Sequence, residues 1–243
     1  MNVPKELKRD SKNILYTDDS DIRKYPIFFE KDNDRCYCEP KSLFYRLLNN
    51  KEYIIKYSLK ELNPENVLQM LEKFNLLRDK LLSIDLPIGY YQEHDKTKGL
   101  IVPYYPDTRT LQSVCNSYSI DELSKYYQHD EDDVHNLFLL CMEILNILEE
   151  MVENQMYYSD IHTGNFVFYE NRVKLIDFES EYIHFHDSKD CYLKAVLNNY
   201  ENMIYQIVKR FGLGDDHIYM TDNFEHMRNH VKKLDNKYFR RYK

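Results

Sequence analysis

Asp160, Asn165 and Asp177 fall within one short stretch, YYSDIHTGNFVFYENRVKLIDFES, residues 157–180. Two carboxylates and an amide are oxygen donors. Such groups serve either proton transfer to and from a hydroxyl or the binding of a hard cation. Taken singly, Asp and Asn at loop starts and strand ends are ordinary turn chemistry. The spacing says more. NFVFYENRVKLIDF holds two apolar runs around Glu170 and Asn171. With these two as the turn of a hairpin, Asn165 faces Ile176, and Asp177 lies one step further on. Opposed residues of a hairpin have Cβ atoms ~5 Å apart, and diagonal neighbours are somewhat more distant. A carboxylate oxygen and an amide oxygen at that separation can share Mg²⁺, which takes oxygen ligands and keeps several waters. Asp160 precedes Asn165 across a loop containing Gly164, the only glycine between residues 100 and 211. It can face the same spot without being forced to ligate.

The elements that must hold these residues are legible on either side. Residues 1–24 are polar and charged and read as a loose arm or short helix. YPIFF, SLFYRLL and EYIIKYS, separated by the turn pieces DND and NN, read as an antiparallel meander over 25–58. NPENVLQMLEKFNLLRDKLLSI follows, with Asn63 as cap and Pro64 at the first helical position. Val67, Leu68, Leu71, Phe74, Leu77 and Leu81 recur there at helical spacing. PIGYYQEHDKTKGLIVPYYPD reads as two strands around a charged hairpin turn. DVHNLFLLCMEILNILEEMVENQ is a long helix, apolar on most of its circumference and so central to a helical lobe. KDCYLKAVLNNYENMIYQIVKRFG and the last thirty residues also read as helical. The expectation is an α+β chain: an arm at 1–24, a β-rich lobe with one main helix at 25–103, a short crossing at 104–106, and a mostly helical lobe at 107–243. A cleft between two lobes is a favoured ligand site.

Composition narrows the classes. A formal net charge of −8 over 243 residues argues against a nucleic-acid partner. The five cysteines, Cys36, Cys38, Cys115, Cys141 and Cys191, are odd in number and lack zinc-ligand spacing. They fit free thiols in a reducing cytosol. The first residues carry no apolar signal core, and the most apolar helix falls short of a membrane span. These features together predict a cytoplasmic protein.

The stretch DIHTGN followed by IDFE resembles the catalytic core of the protein kinase-like superfamily, in which an Asp, an Asn five residues on, and an Asp-Phe beyond a hairpin recur. Lys56 in YIIKYS looks like that family's strand lysine. Glu72 in the next helix looks like its ion-pair partner, with Glu65, in the first turn, the weaker candidate. LIVPYYPD looks like its hinge. The resemblance spans residues 25–210 and implies a two-lobed protein kinase-like fold with ATP and Mg²⁺ as cofactors. It implies that Asp160 orients the acceptor hydroxyl and takes its proton. Asn165 and Asp177 would hold Mg²⁺, and Lys56, held by Glu72, would contact the α- and β-phosphates. The backbone around Val102, Pro103 and Tyr105 would meet the adenine.

The chain also departs from the pattern. No G-x-G-x-x-G precedes Lys56, and NDRCYCEPKSLFYR has no glycine at all. Tyr158 and Ser159 stand where His-Arg would precede the catalytic Asp, and Glu179 replaces the glycine of D-F-G. There is no A-P-E, and only about a dozen residues separate Asp177 from the next helix. His162 matches the D-x-H-x-G-N loop of aminoglycoside and choline kinase-like enzymes, which places it among the catalytic candidates. Three readings follow: an atypical serine/threonine protein kinase, a small-molecule kinase of the aminoglycoside or choline kinase type, or a pseudokinase acting as a binding module.

Overall fold

A computed structural model of the chain describes residues 7–18, 27–28, 42–47, 52–106, 108–185, 190–214 and 223–239. The turn pieces DND and NN, Cys36 and Cys38, and the glycine-free stretch up to residue 41 lie outside the described residues. The chain divides into two compact units, Met1–Pro106 and Asp107–Lys243. The first is built on a β-sheet and the second mostly on helices, as the α+β expectation requires.

The first unit contains β1 (Lys8–Arg9), β2 (Leu15–Asp18), β3 (Ile27–Phe28), β4 (Ser42–Arg46), β5 (Tyr53–Ser58), β6 (Gly89–Glu93) and β7 (Lys96–Pro103), with helix α1 (Pro64–Leu77) between β5 and β6. The strands form one sheet in the order β1-β2-β6-β7-β5-β4-β3. β6 and β7 form a hairpin whose turn residues, His94 and Asp95, have φ of 49° and 62°. Asp, Asn and His tolerate this left-handed region better than most residues, and two such residues give a turn that matches the twist of the flanking strands. α1 starts where its cap predicts: the Asn63 side chain accepts from the Asn66 N–H at 3.2 Å. Val67, Met70, Leu71 and Phe74 form its buried face.

Two expectations for this unit are corrected. The arm at 1–24 is not simply loose or helical, because β2 joins the sheet edge parallel to β6, with Leu15 opposite Gly89 and Asp18 opposite Gln92. Gly89 allows the approach, since a Cβ there would sit 2.2 Å from the Leu15 carbonyl oxygen. Helix α1 stops at Leu77 rather than running toward Ile84. Beyond it the Arg78 guanidinium donates to the carbonyls of Leu86 and Pro87, at 3.1 and 2.8 Å, and Leu81 is buried outside any helix. Helical periodicity in the sequence therefore outlasts the helix, because an apolar residue can reach the core from a turn as well.

The second unit contains β8 (Arg109–Thr110), α2 (Leu111–Cys115), α3 (Ile120–Ser124), α4 (Asp133–Glu153), β9 (Met156–Tyr158), β10 (Phe166–Tyr169), β11 (Arg172–Leu175), β12 (Ile183–Phe185), α5 (Asp190–Arg210) and α6 (Phe224–Phe239). α4 is its central element, capped by Asp132 and buried on most sides from Val134 to Val152. Arg228 of α6 pairs with Glu149 of α4, and His135 of α4 lies 3.0 Å from Asp235 of α6. β10 pairs with both β11 and β8, while β12 pairs with β9. No described helix is long and apolar enough to cross a membrane. Cys115, Cys141 and Cys191 are free thiols, and burial pushes Cys115 up to about 12.

Candidate functional site

The hairpin of β10 and β11 has the register expected from its sequence. Phe166 faces Leu175 and Tyr169 faces Arg172, so Glu170 and Asn171 form the turn, with φ of 50° and 60°. At the open end, the Ile176 N–H donates to the Asn165 carbonyl at 2.8 Å. At the closed end, the Asn171 side chain accepts from the Gln128 N–H at 2.6 Å and donates to the Gln128 carbonyl at 2.9 Å. The loop bearing Gln128 is in turn organised by Asn136, a fully buried polar residue of α4. Its Oδ1 accepts from the N–H groups of His129 and Asp130, both at 2.8 Å.

Asn165 closes a short 3₁₀ turn, Thr163–Asn165, and only 2% of it is exposed. Its Nδ2, which carries two hydrogens, lies within hydrogen-bonding distance of three acceptors: the Asp160 carboxylate at 3.0 Å, the Asp160 backbone carbonyl at 2.8 Å and the Tyr158 hydroxyl at 2.6 Å. All three contacts use the amide nitrogen, which leaves the amide oxygen as the group able to face a cation. The Tyr158 hydroxyl donates onward to the Asp177 backbone carbonyl at 3.3 Å. Burial, and then the negative charge of Asp160, raise the tyrosine's pKa well above its ordinary value. The hydroxyl therefore stays protonated and remains a donor.

Asp177 itself has φ of 67°, in the left-handed region that Asp adopts more readily than most residues other than glycine. Its neighbours hold it there. Ile176 is bonded to Asn165, and Phe178 is buried with its ring 5.9 Å from that of Tyr158. Tyr158 thus grips both residues flanking the peptide bond after Asp177, one through its hydroxyl and one through its ring.

His162 lies beside Asp160. Its Nδ1 accepts from the Gly164 N–H at 3.0 Å, which puts the proton of the neutral ring on Nε2. That Nε2 is 3.6 Å from Asp160 Oδ2. A Cβ at Gly164 would come within 2.8 Å of Gln112 Oε1 and 2.9 Å of His162 Cε1, so Gln112 and the His162 ring would have to shift to admit a side chain.

Ser159 has a positive role that its place in the sequence does not announce. Its N–H and its hydroxyl both donate to the Tyr182 carbonyl, at 2.9 and 3.1 Å. The Asn199 side chain of α5 donates to the Ser159 carbonyl at 2.6 Å. Neutral hydrogen bonds thus fasten the segment after Asp177 to the loop before Asp160, and β9 and β12 continue the contact. No local pattern marks Ser159 or Asn199. Asn136 had a signal, a polar residue inside an apolar helix.

The structure therefore brings Asp160, His162, Asn165 and Asp177 together within the second unit. The other candidates lie in the first. Lys56 is on β5 opposite Leu100, half-buried. Val102 and Pro103 end β7, opposite Ile54 and Tyr53. The Tyr105 hydroxyl donates to Asp85 at 2.8 Å. Glu72 is corrected: its carboxylate pairs with Lys12, at 2.6 Å, rather than with Lys56. Glu72 is on the half-exposed side of α1 that faces the turn between β1 and β2, which the reading of 1–24 as an arm leaves out.

No family model and no curated protein sequence matches this chain. Among solved structures it is similar to one described as the structure of vaccinia related kinase 3. The TM-score is 0.50 at 15% sequence identity, over 98% of this chain and 77% of that one. The likeness is one of fold: a β-sheet lobe and a helical lobe of the protein kinase-like kind.

Proposed function

We propose that the protein is an ATP- and Mg²⁺-dependent phosphotransferase, and that the acceptor is a serine or threonine hydroxyl of another protein. One observation carries this reading: Asp160, Asn165 and Asp177 converge through the Tyr158 hydroxyl and the Asn165 amide. Asp160 would orient the acceptor hydroxyl and take its proton. Its carboxylate is positioned for that by the Asn165 amide, and His162 Nε2 stands next to it. Lys56 would bind the α- and β-phosphates, and the backbone around Val102, Pro103 and Tyr105 would meet the adenine.

The donor set suits Mg²⁺. The Asn165 amide oxygen and the Asp177 carboxylate are hard oxygen ligands. Among the described residues no group of three or more His, Cys, Asp or Glu could cage an ion. Mg²⁺ needs no such cage, since it binds through one or two side chains and completes its shell with water and substrate phosphates. When bound, it neutralises charge on the transferring phosphoryl group. Phosphoryl transfer asks the protein mainly for positioning and charge, and the hydrogen bonds that link Tyr158, Asp160, Asn165 and Asp177 would supply positioning. Glu72 is left out of this reading because of its pairing with Lys12.

A second reading, a small-molecule acceptor, is favoured by His162. Its ring is fixed by Gly164 and set against Asp160, where it can contact a small hydroxyl substrate. Thermal unfolding with ATP and Mg²⁺ tests both readings. A bound nucleotide raises the melting point by mass action. Asp177→Ala should remove the Mg²⁺-dependent part of the shift. No shift at millimolar ATP and Mg²⁺ would sink both enzyme readings, and an unchanged shift in Asp177→Ala would refute the metal assignment. Transfer of labelled phosphate to protein or to small hydroxyl compounds, absent in Asp160→Ala, separates the acceptors.

A further inference from the structure

A second feature lies wholly within the first unit and uses none of the residues assigned to the proposed nucleotide and acceptor site. The β1–β2 hairpin, the C-terminal end of α1 and the segment entering β6 enclose an open-sided cavity of about 320 Å³. Leu15 and Ile88 give it a buried apolar wall. Its polar lining is Arg9, Asn13, Asn75, Arg78 and Asp79.

The hydrogen bonds of the two arginines in this lining go to neutral carbonyls. The Arg78 guanidinium is half-buried, and its hydrogen bonds go to two neutral carbonyls, those of Leu86 and Pro87. Burial is the main influence on Arg78 and lowers its pKa, outweighing the opposing effects of Tyr53, Asp79 and Asp85. Arg9 likewise donates to a neutral carbonyl, that of Asn13, at 2.9 Å. Each guanidinium has five N–H donors, so most remain for a ligand. The lining itself carries two guanidinium groups and one carboxylate, that of Asp79, while the Asp85 carboxylate lies near Arg78 outside it. A partly desolvated cation with neutral partners gains from an oxyanion that takes its remaining donors.

We propose that this cavity binds a phosphate monoester, gripped by the guanidinium groups of Arg9 and Arg78 and assisted by the amides of Asn13 and Asn75. A phosphate monoester fits better than a carboxylate. It carries nearly two negative charges and three acceptor oxygens, enough for two planar forks and to outweigh Asp79. A volume of about 320 Å³ is at the small end of ligand sites, which run from roughly 300 to 1,000 Å³. That is room for a phosphoryl group and the few atoms that carry it. The group could belong to a phosphorylated side chain of a peptide or to a free phosphorylated metabolite.

Isothermal titration of the full chain tests this. The probes are inorganic phosphate, phosphoserine, a phosphoserine peptide and its unphosphorylated form. Phosphoserine should bind wild type and Asp177→Ala equally, which separates this site from the proposed nucleotide site. Arg9 is exposed, so Arg9→Gln should fold normally and weaken binding by about tenfold or more. Arg78→Lys, which keeps the charge but loses the fork, should weaken it too. Tighter binding of the phosphopeptide than of free phosphoserine assigns the site to a protein partner, and equal binding assigns it to a metabolite. Absence of heat with every phosphorylated probe at millimolar levels, or equal binding by wild type and Arg9→Gln, would overturn the proposal.

Discussion

Replacing Tyr158 with phenylalanine deletes one hydroxyl and leaves the ring in contact with Phe178. That hydroxyl accepts from Asn165 Nδ2 at 2.6 Å and donates to the Asp177 carbonyl at 3.3 Å. Asn165 is not orphaned by the change, because its amide keeps the backbone carbonyl and one carboxylate oxygen, Oδ2, of Asp160. The Asp177 carbonyl loses this donor. A net hydrogen bond is worth about 1 kcal/mol, and the longer of the two less, so the loss should be about 1.5–2 kcal/mol. For a chain of this length that is a fall of roughly 3–8 °C in Tm. Scanning calorimetry measures it directly. The same bonds tie Asn165 to Asp177, so on the proposed function Mg²⁺-dependent ATP affinity should drop by about tenfold, equivalent to ~1.4 kcal/mol. A Tm within about 1 °C of wild type would refute the bridging role of the hydroxyl.

Gly89→Ala forces a Cβ against the Leu15 carbonyl, so β2 should leave the sheet edge at a cost of about 1–3 kcal/mol. Limited proteolysis near Arg9 and Lys12 should then be faster than in wild type. Asn136→Ala removes the acceptor for the N–H groups of His129 and Asp130, and should cost about 2–3 kcal/mol. Hydrogen exchange should accelerate in residues 125–132 and at the Glu170–Asn171 turn, which that loop clamps. The Tyr90 hydroxyl, buried and beside Asp10, is pushed up from 10.0 to about 12. Its neutral form is favoured in the folded chain, so its contribution is complete below pH 10.0 and is lost as pH rises toward 12. Denaturant unfolding should show stability falling across that window, with a shallower fall in Tyr90→Phe.

Much of the candidate site could be read along the chain because its geometry is local. A two-residue turn and a period of two settle which residues of 166–175 face each other, and that places Asn165 next to Ile176 and Asp177. A charged hairpin turn between two strands was legible too, without its residues, which the structure places at His94 and Asp95, and so was the start of α1 at Asn63. What escaped involves partners far apart in sequence. The β2 strand, Leu15–Asp18, is four residues long with one polar end, and only the neighbouring edge of β6 makes it a strand. Nothing near Glu72 points to Lys12, and nothing near Ser159 points to Tyr182 or Asn199.

The sequence by itself determined the identities of the oxygen donors, their spacing through the hairpin and the alternation of strand-rich and helix-rich halves. These depend on backbone periodicity and turn chemistry, which act over a few residues. Tertiary structure alone decided that Tyr158 links Asn165 to Asp177, that Ser159 fastens the following segment, and that Glu72 belongs to Lys12. Those outcomes depend on which surfaces the core leaves adjacent once Phe74, Phe166 and Phe178 are buried. A polar side chain brought to such a surface takes whichever complementary group lies within about 3 Å, however distant in sequence.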